Sequence, residues 1–112
     1  RYIGVDASEL FNDECYSMEA KSALAGLIPE GKPLCLVADT KQETKDMYGR
    51  LLRYVYMHDG QRWVQQNARL VRMGQARAYH KFLKGTDYQW EILDAENKAY
   101  TEKRGGWTDC DW

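Results

Sequence analysis

The feature that most constrains this chain is a shortage of strands. Leu34 to Ala38 is a continuous apolar stretch too short for a helix. Leu51 to Met57, rich in Leu, Tyr and Val and closed by the turn residues His58-Asp59-Gly60, is a second strand, apolar on both sides and so central. Arg1 to Val5 reads as the end of a third, cut off by polar residues. Against these stand three helices. In the first, Ala20, Leu24, Leu27 and Ile28 recur at helical spacing, with Ser17 as a cap and Gly31 and Pro33 as stops. The second runs from Trp63 to Met73 on Val64, Ala68 and Val71, ahead of Gly74. The third covers Asp87 to Lys103, with Trp90, Leu93, Ala95 and Tyr100 as its inner face, Thr86 or Asp87 as its cap and Gly105-Gly106 as its end. Lys41 to Asp46 is an exposed charged loop, and Gln75 to Lys81 a short connecting segment. Two strands alone are marginal in water, so the sheet needs further members. The chain opens on Arg1 with no initiator Met and reads as a piece of a longer one. The missing strands are expected before Arg1 or from another copy of the chain.

The 112 residues, 44% hydrophobic and 29% charged, suit one soluble globular domain. No run approaches the roughly 20 apolar residues that span a bilayer. Sixteen Lys and Arg against 17 Asp and Glu leave a net charge of −1, which excludes a protein that coats nucleic acid through bulk positive charge. Any contact with a polyanion must be local. Three cysteines, Cys15, Cys35 and Cys110, have no Cys-x-x-Cys spacing and only two histidines beside them, so they imply neither a zinc site nor a disulfide framework. At most one bridge can form, and reduced thiols are the expectation.

Polar groups gather beside strand ends in three segments: Arg1 with Asp6 and Glu9, Tyr48-Gly49-Arg50, and Arg77-Ala78-Tyr79. Each has an ordinary explanation. Asp6 and Glu9 have the spacing of a capping box, although no helical periodicity follows them directly. Tyr48-Gly49-Arg50 can be a plain turn with a solvated arginine.

Taken together, the runs RYIGVDASE, DMYGRLLRYVY and ARLVRMGQARAY, with Trp107 after the last helix, resemble the staphylococcal (micrococcal) nuclease family of thermonuclease-like domains. In that family a strand ending in Arg precedes Val-Asp-x-Pro-Glu, a later strand begins Asp-x-Tyr-Gly-Arg, and a helix carries Leu-Val-x-x-Gly-x-Ala. The resemblance covers nearly the whole chain in the right order. It implies an α+β fold, a five-stranded OB-type β-barrel with three helices, whose N-terminal strands this chain lacks. It also implies Ca²⁺-dependent hydrolysis of phosphodiester bonds in DNA or RNA with little sequence specificity.

The implied roles fall on particular residues. Arg1 and Arg50 match the family's two catalytic arginines, Glu9 the glutamate that acts on the attacking water, and Asp6 a carboxylate ligand of calcium, with Ala7 offering its backbone carbonyl. Tyr48 and Tyr79 match tyrosines of the substrate pocket, where core or surface packing is the competing reading. The chemistry asks for these types. Planar guanidinium groups suit the charge that builds on phosphoryl oxygens, a hard cation takes oxygen ligands, and a carboxylate can accept a proton from water.

Three departures matter. Ser8 stands where the family has proline, Met47 where a basic residue meets a terminal phosphate, and the other calcium carboxylates lie upstream of Arg1. One carboxylate binds calcium weakly, so the chain by itself is expected to be inactive unless the missing strands are supplied. The alternative reading is a catalytically impaired nuclease-like OB-fold module that binds nucleic acid or protein, as in eukaryotic Tudor-containing nuclease proteins. Arg53, Arg62, Arg69, Arg72 and Lys81 are expected mostly on solvated faces, His58 and His80 at the surface, and Trp63, Trp90, Trp107 and Trp112 as packing anchors. The resemblance suggests a secreted or cell-envelope location.

Overall fold

The stretch Leu51–Met57, expected to be central, does supply the central strand. A computed structural model describes residues 2–6, 15–16, 18–19, 21–22, 26 and 31–112. Within them the order is β1 (Val5–Asp6), β2 (Leu34–Val37), β3 (Tyr54–His58), β4 (Trp63–Gln65), α1 (Gln66–Arg72), β5 (Arg77–Ala78), α2 (His80–Leu83), α3 (Gln89–Thr101) and α4 (Gly106–Asp109). Residues 18–19, 21–22 and 26 are helical, within the first expected helix; its remaining positions, including Leu24 and Ile28, lie outside the described residues.

β3 pairs antiparallel with β2 on one side, Val37 opposite Tyr54, and with β4 on the other, His58 opposite Trp63. A separate two-stranded ladder joins β1 to β5, with Val5 opposite Ala78 and Asp6 opposite Arg77. A parallel bridge between Tyr2 and Arg53 links the two sheets. Among the described residues no closed barrel forms. All four residues of β2 are exposed, Leu36 to 53%.

Two expectations need correcting. Trp63–Met73 is not one helix, because the Asp59 carboxylate accepts the Gln61 and Arg62 N–H groups at 2.8 and 2.9 Å and closes a hairpin. That turn sets residues 63–65 against β3, so ladder pairing takes them before the helical period can. The third helix keeps its period, and Leu93 and Ala95 face inward as expected, Leu93 half-buried against the core, but Trp90 and Tyr100 do not. Ile92, Ala95 and Ala99 are buried, while Trp90 and Tyr100 are 73% and 61% exposed. Small residues let α3 lie close on α1, and bulky aromatics there would hold the two apart. Trp107 and Trp112 pack edge-on to each other at 5.4 Å, Trp63 lies half-exposed and edge-on to His58 at 5.3 Å, and Trp90 is largely exposed.

The core gathers Ile3, Val5, Tyr54, Val71, Ala78, Leu83, Ile92 and Ala95. Asn67, wholly buried on α1, ties it together: its amide donates to the carbonyls of Ile3 at 2.9 Å and Arg53 at 3.2 Å, and its oxygen accepts the Val55 N–H at 2.8 Å. With all three bonds made the buried amide stabilises rather than strains the core, and it fixes the approach to β1. A second tie is reciprocal. Asp39 accepts the Tyr54 hydroxyl and the Asp87 and Lys41 N–H groups, while Asp87 accepts the Thr40 N–H and hydroxyl, both at 2.7 Å.

α1 ends in a Schellman turn, with Gly74 N–H bonded to Val71 O and Gln75 N–H to Leu70 O, both at 3.0 Å. Gly74 and Gly105 both have positive φ and meet backbone to backbone. A Cβ on Gly74 would run into the Arg104 carbonyl oxygen, and one on Gly105 into that of Gly74, which also accepts the Gly106 N–H at 2.9 Å.

The cysteine expectation is overturned as well. Cys15 and Cys110 form a disulfide across 95 residues of sequence, and Cys35 alone is free, exposed on β2. The partners come together only because α4 folds the Cys110–Trp112 stretch back beside residues 15–16, where Trp112 packs edge-on to Tyr16 at 6.0 Å.

Candidate active site

The segment Asp46-Met47-Tyr48-Gly49-Arg50 closes on itself. Asp46 Oδ1 accepts the N–H groups of Tyr48 and Arg50, each at 2.9 Å, and Gly49 N–H reaches Asp46 O at 3.0 Å. Gly49 supplies the positive φ of 77° that the turn requires. Asp46 Oδ2 accepts Arg50 Nε at 2.7 Å, and the guanidinium lies 5.3 Å from the centre of the Tyr48 ring. Burial pushes the Asp46 carboxyl up, but the Arg50 and Tyr48 hydrogen bonds outweigh it and hold the group below the usual carboxylate range. Among the described residues the two terminal guanidinium nitrogens of Arg50 make no hydrogen bond.

Opposite this turn stand residues from β5 and α2. Tyr79 N–H bonds to Gly4 O at 2.8 Å, which sets the tyrosine beside the first residues of the chain. Its ring lies 5.1 Å from that of Phe82, and Phe82 is 56% exposed. Tyr48, Arg50, Tyr79 and Phe82 line one cavity of about 530 Å³, floored by Ile3 and Leu52 and rimmed by Glu43, Lys45, Asp46 and Met47. It therefore pairs a cation with aromatic and apolar walls.

The structure gathers Tyr48, Arg50 and Tyr79, but it does not bring Asp6 to them. Asp6 follows Val5 on β1 and lines a neighbouring cavity of about 540 Å³ with Arg77, Asp109, Asp111, Trp112 and the disulfide. Arg1, Ala7 and Glu9 lie outside the described residues. Among the described residues no three or more His, Cys, Asp or Glu side chains are grouped so as to hold a metal ion. Calcium takes 6–8 oxygens, and Asp6 alone does not meet that demand.

Sequence reasoning gave no role to Asp46 or Phe82. Asp46 had a readable signal, a carboxylate two and four residues before N–H groups in a Gly-containing turn. Phe82 had none, because its place depends on the two-residue strand β5 and the single turn of α2.

Residues 1–109 match the staphylococcal nuclease homologue family. The chain belongs to that family. Proteins named "Uncharacterized endonuclease" from Escherichia coli O157:H7 and from Escherichia coli are each 39% identical to it over 111 residues, 99% of this chain and 63% of theirs. An uncharacterized protein of Methanocaldococcus jannaschii is 28% identical over 78 residues, 70% of this chain and 36% of its own length. The chain thus spans less than two thirds of the length of these curated relatives. As a staphylococcal nuclease homologue it has the mixed α+β, antiparallel, OB-like fold that the resemblance implied.

Proposed function

We propose that this domain is a nuclease that hydrolyses phosphodiester bonds in DNA or RNA with little sequence preference and depends on Ca²⁺. The observation that carries the reading is the pairing of Arg50 with Tyr79 and Phe82 around one cavity. The terminal guanidinium nitrogens of Arg50, which bond to none of the described residues, donate to the phosphoryl oxygens, while the aromatic rings receive the flat face of a base, a contact indifferent to sequence. Asp46 keeps the guanidinium in register through Nε. The endonuclease names of the two Escherichia coli relatives support the same reading.

Magnitudes show what else is needed. One well-aimed donor supplies roughly 3–4 kcal/mol, a general base roughly 10²–10⁴-fold, and hydrolysis asks for about 8–23 kcal/mol. Arg50 cannot act alone. The proposal therefore includes Glu9 as the acceptor of the water proton, Arg1 as the second guanidinium, and Asp6 with the Ala7 carbonyl as calcium ligands. Because the described donors do not complete a calcium site, further oxygens must come from elsewhere. We also propose that added strands, from a segment before residue 1 or from a second copy, cover β2 and finish the barrel. Its exposed apolar side chains support this.

The second reading, a binding module without catalysis, draws on Met47, 89% exposed where a cation was expected, and on the evenly mixed charges of the rim. Plasmid nicking with Ca²⁺ and with a chelator, together with oligonucleotide anisotropy, separates the two. A nuclease loses cleavage by orders of magnitude in Glu9→Gln and keeps binding; unchanged behaviour in both assays removes the enzymatic reading. A secreted or envelope location is proposed with it, since disulfides persist in oxidising compartments. Among the described residues no helix is long and apolar enough to cross a membrane.

A further inference from the structure

We propose that the Cys15–Cys110 bridge is a reversible redox site, and that thiol–disulfide exchange there with a dithiol reductant switches the cleavage activity off. The inference rests on the nuclease reading above. Three observations carry it.

The first is position. Both half-cystines line the same cavity as Asp6, and Cys15 is exposed, so a reductant thiolate can reach the bridge. Exposed disulfides are the labile ones, whereas burial shields a bridge from attack.

The second is a contact path from the bridge to Asp6. The bridge holds the Cys110–Trp112 stretch; the Trp112 ring packs against Tyr16 and Trp107, and the Arg77 guanidinium lies 5.1 Å from its centre. Arg77 is in turn the ladder partner of Asp6, in a ladder only two residue pairs long.

The third is that, among the described residues, little else holds the Arg77 side chain. Its Nε is buried without a hydrogen-bond partner, and among the described residues its side chain makes no ion pair. Stacking on Trp112 would favour this cation over the ring rather than against the carboxylates of Asp6, Asp109 and Asp111, which line the same cavity. With the bridge open, what ties the 110–112 stretch among the described residues is packing and the hydrogen bond from Cys110 N–H to Gly106 O. Arg77 is then free to pair with Asp6 and to neutralise the carboxylate on which the nuclease reading depends.

The exchange balances. One reductant thiolate attacks a bridge sulfur, breaking the Cys15–Cys110 bond and forming a mixed disulfide. The second reductant thiolate displaces that cysteine, leaving the reductant as its cyclic disulfide. Two electrons pass to the protein, and the two protons of the dithiol end on Cys15 and Cys110. Cytoplasmic nucleic acid would thereby be spared by a chain not yet oxidised.

The test compares oxidised protein with the same protein in dithiothreitol, at a temperature where far-UV circular dichroism shows the reduced chain folded. Thiol titration after denaturation should read Cys35 alone before reduction and all three cysteines after it. Plasmid nicking is expected to fall by about tenfold or more, a change of about 1.4 kcal/mol in the barrier, and to return on re-oxidation. The double variant Cys15→Ser/Cys110→Ser should sit at the low level and ignore dithiothreitol. A merely structural bridge would lower the melting temperature and leave cleavage by folded, reduced protein unchanged, and that result overturns the proposal. If the double variant does not fold, Trp112→Ala with the bridge intact replaces it: loss of cleavage supports the path through Arg77, and full activity refutes it. Because the chain by itself is expected to be inactive, cleavage is read with the added strands supplied, and oxidised protein that then cleaves nothing refutes the nuclease reading instead. The redox site is then judged by tryptophan fluorescence, where a reversible shift on reduction supports release of Trp112 and an unchanged spectrum overturns it.

Discussion

Replacing both Cys15 and Cys110 by serine should cost this domain a large part of its stability, and the size follows from where the bridge falls. The cysteines are 95 residues apart, so the bridge closes almost the whole chain into a loop. In the chain-entropy treatment such a loop removes about 16 cal/mol/K from the unfolded state, or about 4.7 kcal/mol at 25 °C. Domains are stable by only about 5–15 kcal/mol, so this is a third of the total or more. An unfolding entropy of about 2.1 cal/mol/K per residue gives about 235 cal/mol/K for a chain of this length, so the melting temperature should fall by about 20 °C. Thermal unfolding of wild type and double variant without reductant, followed by far-UV circular dichroism, measures the difference. A fall of less than about 5 °C, near 1 kcal/mol by the same conversion, would refute the reasoning. It would mean that the unfolded chain already keeps these ends together, or that the native bridge carries an offsetting strain.

Arg50→Ala should lower kcat/KM in a nicking assay by about 10²–10³-fold, the effect of one lost transition-state donor. Asp46→Asn should lower it only about 2–5-fold, because the Arg50 side chain is 53% exposed and solvent screens such a pair; equal losses would make Asp46 more than a positioning group. Phe82→Ala should raise KM for a single-stranded oligonucleotide by about 5- to 150-fold with kcat kept, the measure of one stacked base, and an unchanged KM removes Phe82 from the pocket's function. Acid should destabilise the fold. The Thr40 hydrogen bonds hold the Asp87 carboxyl below its usual 3.8, and the Arg72 hydrogen bond holds Glu102 below 4.5, so their contribution is complete above those values and is lost as pH falls through the lowered ones. Urea midpoints should therefore drop between about pH 5 and about pH 3, and a flat profile contradicts the assignment.

What could be read from sequence was whatever a short window decides. β2 and β3 announced themselves as unbroken apolar runs, and α3 by its period, because both signals are local. The rest of the face α3 buries was not local: beside Ala95, Trp90 and Tyr100 are the bulkier choice, yet proximity to α1 selects Ile92 and Ala99. β4 hid inside a helical pattern because a hairpin turn, not periodicity, claimed residues 63–65. The disulfide was invisible since nothing near Cys15 points to a partner 95 residues away. The candidate site divides along the same line. Tyr48, Arg50 and Tyr79 came from the family resemblance and do line one cavity, whereas the separation of Asp6 into the next cavity depends on how two-residue strands register.

The meeting of Gly74 with Gly105 limits how this sequence can change. Most core contacts are between side chains, so a substitution on one side can be answered on the other. Here each added methyl would strike a main-chain carbonyl, which no neighbouring replacement can remove. The two glycines are therefore not a compensating pair but two independent dead ends. In a saturation library both columns should be empty, and screening double variants should not refill them; only a change in the path of the backbone between α1 and α4 would open that corner to other residues.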